Sequence, residues 1–377
     1  MRYNLSQDCF LKRLEKPAVY AVVTDDLYEL DEESFAFLSA CSSKVGCEAE
    51  RSGFVDYCLA EGILTTERVT VRRPPLLESP VPSLRYLELQ ITERCNLRCA
   101  HCYIGSGSYE LPVEKVEKVL REFESLQGLR VLITGGEPLI HSRFNEINGM
   151  LPGFSLRKVL FTNGILLDRE TVEGLNVDEV QISIDGLEAA HDSLRGPGTF
   201  RAAVGAIELC NASGMKVSVS TMVHPGNAAD FDKLEKLLVD LGISDWTVDV
   251  PCVTGRLRDN PGVQMSPEAA GKYLRYGFGG GIHESPPGYA CGLHLASVSA
   301  DGRISRCTFY ADRAAGTIED GLKACWQKIP PVRLEELDCD CPHKESCRGG
   351  CRYRAELLGD GRGKDLFRCC LYDIMET

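Results

Sequence analysis

Two rhythms of apolar residues divide this chain. From Leu84 to about residue 250, short runs rich in β-branched residues alternate with longer stretches that read as helices. The runs are "RYLELQI", "LRVLIT", "RKVLFT", "DEVQISI", "KVSVSTMV" and "DWTVDV"; the helical stretches are 112–126, 168–175, 200–213 and 228–241. Six strands linked by helical crossovers predict an α/β fold, a parallel sheet covered by helices. In such a fold chemistry gathers at the C-terminal ends of the strands.

Residues 1–72 follow a different pattern. "AVYAVV" and "LYEL" predict two strands around the acidic turn Thr24-Asp25-Asp26. "DEESFAFLSACSS" predicts a helix capped by Asp31, a second helix covers about 50–61, and "ILTTERVTV" returns as a strand or wing. The prolines of "RRPPLLESPVPS" make residues 73–84 a linker. Beyond about residue 255, glycine, proline and cysteine dominate. Apolar residues look too sparse there for an ordinary core, which predicts a small domain held by metal clusters.

Composition narrows the function. The formal charge of −13 and the lack of a basic block argue against nucleic acid as a partner. No run of 18 apolar residues and no signal-like N-terminus occur, so the expected location is cytoplasmic, without a membrane span. Eighteen cysteines in a reducing compartment point to metal or cluster ligation rather than disulfides. Cys9, Cys41, Cys47, Cys58, Cys210 and Cys252 are scattered, and are read as small buried hydrophobes.

The first concentrated group, "CNLRCAHC", holds Cys95, Cys99 and Cys102 directly after the first strand. Zinc wants four ligands, and His101 would have to turn inward between two of them to serve. An iron–sulfur cube held by three thiolates keeps one iron open. This C-x3-C-x2-C loop resembles that of the radical S-adenosylmethionine (SAM) enzymes, and further matches follow it. "ITGGEPLI" resembles the family's GGEP motif, with Gly135, Gly136, Glu137 and Pro138; "FTNG" and "QISIDG" resemble its third and fourth strand ends.

The resemblance implies a partial (β/α)6 TIM-type barrel over 85–255. Cys95, Cys99 and Cys102 would hold a [4Fe–4S] cluster that binds SAM and cleaves it to a 5′-deoxyadenosyl radical. Tyr103 would lie near the adenine, Ser183 and Asp185 near the ribose, and Arg195 of "HDSLRGPGTF" would pair with the SAM carboxylate. The glycines and Glu137 would face the SAM amino group.

The C-terminal cysteines resemble a SPASM domain (256–377) with two auxiliary [4Fe–4S] clusters. By that resemblance Cys291, Cys307 and Cys351 hold the first, its fourth position falling to His294, Cys325 or a substrate thiol. Cys339, Cys341, Cys347 and one of Cys369 or Cys370 hold the second. The pair Cys339–Cys341 is one residue short of the family spacing, so Asp338 competes with Cys339. Residues 1–72 resemble the PqqD-like, winged-helix RiPP recognition element, which binds leader peptides.

The function expected is an oxidoreductase that crosslinks a ribosomal precursor peptide by a thioether or carbon–carbon bond, with flavodoxin or ferredoxin as electron donor. The alternatives are maturation of a haem precursor, a tungsten-enzyme cofactor or a sulfatase, and, from another class, a non-catalytic iron–sulfur carrier or peptide-binding scaffold.

Overall fold

The computed structural model describes residues 1–104, 107–281, 283 and 286–374. Its centre is a sheet of six parallel strands: β1 (Tyr86–Thr92), β2 (Arg130–Gly135), β3 (Arg157–Thr162), β4 (Glu179–Ser183), β5 (Lys216–Met222) and β6 (Asp245–Asp249), side by side in chain order. All six strands lie where the β-rich runs predict them. The register aligns Leu89 with Ile133, Ile133 with Leu160, and Val180 with both Leu160 and Val217. Apolar side chains therefore meet in rows beneath the helices.

Helix Val113–Ser125 shows how the cover is made. Val116, Val119, Leu120 and Phe123 recur at helical spacing and are all buried against the sheet, while Glu114, Glu117 and Arg121 stay on the other face.

The sheet does not stop at β1. Strand β7 (Leu295–Val298) pairs in parallel with β1, and β8 (Arg303–Ser305) and β9 (Gly316–Thr317) continue it antiparallel. Ala296, Val298, Ile304, Leu322, Trp326 and Phe367 join the same core as the barrel. This corrects the expectation of a coreless cluster domain: few apolar residues suffice because the barrel supplies the other half of the packing.

The N-terminal unit is a three-stranded antiparallel sheet, Cys9–Arg13, Pro17–Ala21 and Asp26–Glu29, with helices Glu32–Cys41 and Gly53–Ala60. The Asp31 carboxylate accepts from Ser34 N at 2.7 Å and sets the start of the first helix. The expected returning strand is only Leu64–Thr65, paired with Arg2–Leu5; the residues that follow it, to Val71, belong to no strand.

The Asp25 turn of this unit closes the N-terminal end of the barrel. Asp25 pairs with Arg130, and Arg157 donates to Val22 O and Val23 O at 2.8 Å each. Buried Lys12 donates to Gly128 O at 2.7 Å. Arg130 and Arg157 are the first residues of β2 and β3, so the contact lies at the end opposite the cysteine loop. Among the described residues no helix is long and apolar enough to cross a membrane.

Candidate functional site

One cavity of about 760 Å³ runs along the inside of the sheet. Asp25, Asp26 and His283 line one end, and Cys95, Cys99 and Cys102 the other. The three thiols come from the loop after β1; burial pushes Cys95 up to about 11, with the nearby Glu137, Cys99 and Cys102 adding to it.

The Gly-Gly of "ITGGEP" is dictated by this loop. A side chain on Gly135, at φ +154°, would meet Thr92 O at 2.4 Å, and one on Gly136 would meet Arg94 O at 2.2 Å. Removing both Cβ atoms lets the strands' backbones pair, Gly136 N to Thr92 O and Glu137 N to Arg94 O, each 2.8 Å. Pro138 is buried in the turn that follows.

Glu137 does not face the cavity as expected. Its carboxylate accepts from Thr162 Oγ1 (2.8 Å), Asn163 N (2.9 Å) and Leu139 N (3.2 Å), fixing the end of β3. Burial lifts its pKa to about 7 against those donors. Asn163 in turn donates to the Asn96 side chain at 2.8 Å, tying "FTNG" to the cysteine loop.

Ser183 ends β4 and lines the cavity. Asp185, just past it, is fully buried and spends its polar atoms inside the protein. It accepts from Arg195 Nε (2.5 Å) and Met222 N (2.7 Å), and its own N–H donates to His191 Nδ1 (3.0 Å). Burial opposes its charge, but Arg195, His101 and His191 outweigh that and hold the carboxyl well below the usual range. Arg195 and Asp185 therefore meet each other at the cavity wall. His101 lines the cavity beside the thiols, with Nε2 3.9 Å from the Asp185 carboxylate.

Tyr103 is half-buried at the cavity edge, its ring 4.9 Å from Phe309, which stacks on Tyr353 at 5.4 Å. These rings connect the first cysteine loop to the C-terminal region.

There the cysteines fall into two sets. Cys339, Cys341, Cys347 and Cys369 line one small cavity with Arg352 and Arg368. Cys370 does not: it is buried on the other side of its helix, against Gly271. Asp338 is exposed, with its backbone N–H bonded to Arg362 O. In the other set Cys291, Cys307 and Cys351 sit within one another's electrostatic reach. Neither expected fourth donor joins them. His294 is buried with Nδ1 on Ser83 O at 2.8 Å, and Cys325 packs in the main core with its thiol on Thr317 O.

Sequence reasoning missed two residues on the loop after β6. Cys252, read as a packing residue, sits near Cys351 and lines the main cavity. Arg256 holds the first cysteine loop, its N–H on Cys102 O (2.9 Å) and its Nε on Cys99 O (3.0 Å). The glycine before it, Gly255, has φ +53° and would bring a Cβ within 2.5 Å of Cys102 O. "CVTGR" holds a signal only in hindsight, as a cysteine and a positive-φ glycine at a strand's C-terminal end.

Among the described residues no three His, Cys, Asp or Glu side chains close on one point as a single ion would require. Zinc draws its donors to within about 2.3 Å, whereas thiols around a four-iron cube stand apart by the cube's width. Sets of thiols that line cavities fit cubes.

An open parallel barrel with a cysteine loop and Gly-Gly-Glu-Pro on its first two strand ends defines a radical SAM fold. Residues 89–238 match the model of the Radical SAM superfamily, and this part of the chain is a radical SAM domain, of a family that binds a [4Fe–4S] cluster and SAM. The chain is 26% identical over 333 residues to an AdoMet-dependent heme synthase of Oleidesulfovibrio alaskensis, covering 74% of this chain and 86% of that one. It is 29% identical over 304 residues to mycofactocin maturase MftC of Mycolicibacterium smegmatis, covering 70% and 77%. The structure of Streptococcus suis SuiB bound to S-adenosylmethionine superposes with TM-score 0.69 at 16% identity, over 96% of this chain and 98% of that one. SuiB bound to its precursor peptide SuiA gives 0.66 at 15%, over 97% and 99%.

Proposed function

We propose that the chain is a radical SAM enzyme that oxidatively crosslinks a ribosomal precursor peptide. Cys95, Cys99 and Cys102 are the proposed ligands of the SAM-binding cluster. Bound there, the cluster and SAM would supply a 5′-deoxyadenosyl radical that removes a substrate hydrogen. The chain's own residues hold the loop (Arg256, Gly136) and offer polar groups to SAM from the cavity lining (Ser183, Arg195), with Asp185 fixing Arg195 from behind.

The observation that carries the peptide reading is the outer edge of the N-terminal sheet. Among the described residues nothing pairs with the far side of Asp26–Glu29. Tyr28 on that strand faces Tyr57 of helix Gly53–Ala60, ring centroids 6.4 Å apart, and Tyr57 is 49% exposed. An extended leader would add a strand there through main-chain hydrogen bonds, with the tyrosines as side-chain contacts.

The heme synthase likeness supports a second substrate class, tetrapyrroles. Anaerobic co-expression with a precursor peptide separates the two. The peptide reading expects a mass loss of two hydrogens that requires Cys95; an unchanged peptide together with conversion of a tetrapyrrole contradicts it.

A further inference from the structure

The first auxiliary set has three cysteines in motif positions, and a cube takes four donors. We infer that Cys252, from the loop after the last barrel strand, supplies the fourth thiolate of that cluster and closes it to substrate. This rests on the auxiliary-cluster reading above.

The geometry comes from both sides of the contact. Cys252 follows Val250 by two residues, and Cys351 precedes Arg354 by three. Arg354 joins these two points: its Nη1 donates to Asp249 Oδ1 at 2.5 Å and to Val250 O at 3.0 Å. Its other nitrogen donates to buried Asp365 at 2.9 Å, and Asp365 also accepts from Cys351 N at 2.7 Å. The end of β6 and the start of helix Arg352–Leu357 are thus clamped together by Arg354, through a buried ion pair with Asp365 and a solvent-exposed one with Asp249. This brings the Cys252 and Cys351 side chains near each other.

Cys351 is also the thiol within reach of both Cys291 and Cys307. Four sulfurs from four separate segments therefore converge. A packing role explains Cys252 less well, because its residue lines a cavity beside a buried cation rather than an apolar cluster.

The consequence is a specific one for the reaction. With Cys252 in place the cluster has no free iron, so no substrate sulfur binds it during crosslinking. Cys252 also anchors the cluster to the loop whose Arg256 holds the SAM-site cysteines.

The test starts from a variant with Cys95, Cys99 and Cys102 all changed to alanine, which should retain only the C-terminal clusters, about eight irons per chain. Adding Cys252→Ala should make one iron inequivalent in the Mössbauer spectrum. Mild oxidation should then give a three-iron EPR signal that the parent lacks. Cys252→Ser, which restores a donor oxygen, should suppress that signal. Parent and Cys252→Ala spectra that coincide overturn the inference while leaving both clusters standing. A parent holding about four irons or none defeats the two-cluster reading, and the inference with it.

Discussion

At the scale of single residues, the Arg195–Asp185 pair sets the electrostatics of the cavity wall. Asp185 is wholly buried and Arg195 nearly so. Arg195→Ala should leave a buried carboxylate without its partner and cost about 3–5 kcal/mol, read as a lower denaturant midpoint. SAM affinity should fall in the same variant, measured by equilibrium dialysis; unchanged affinity would remove Arg195 from the SAM site. The cysteine spacings were legible as two C-terminal sets, and the choice between Cys369 and Cys370 was not. Adjacent residues on a helix point about 100° apart, so only the helix's packing decides which thiol faces the cavity. Cys252 was illegible for a related reason: spacing motifs register neighbours in sequence, and this thiol meets its set through the fold.

At the scale of elements, the loop after β1 and the end of β2 form one unit. Gly136→Ala places a methyl 2.2 Å from Arg94 O, against backbone that cannot move without taking Cys95 with it. The variant should retain its fold by circular dichroism and lose most of the iron of the first cluster, about four per chain. Full iron retention would show that the loop adapts. All six barrel strands were readable because buried parallel strands are short, apolar and β-branched. Strands β7–β9 were not. "LASV" and "RIS" are too short and too polar to stand out; the first becomes a strand because β1 presents an unpaired edge to it, and the second because it pairs in turn with the first.

At the scale of the molecule, the N-terminal unit and the barrel are joined by polar contacts at their boundary. Glu15 accepts from Ser83 N (2.6 Å) and from Arg85 (2.7 Å). Burial raises its pKa, but those bonds outweigh it and bring it down to about 2. A carboxyl held below its free value near 4.3 adds stability above that pH, and the gain is lost as pH falls toward 2. Glu15→Gln should therefore destabilise the protein by about 1–3 kcal/mol at pH 7, discounted because the side chain is 24% exposed. The difference from the parent should shrink below pH 4. Denaturant titrations at pH 7 and pH 3.5 check both; an equal difference at the two values would assign the effect to packing.

The same scale holds the central claim, a three-thiol loop at one end of the barrel cavity. The direct measurement is 5′-deoxyadenosine released from SAM by anaerobically reconstituted, reduced protein. Release by the parent and none by Cys95→Ala is the result predicted. A parent that leaves SAM intact while its first cluster is loaded and reduced would contradict the account.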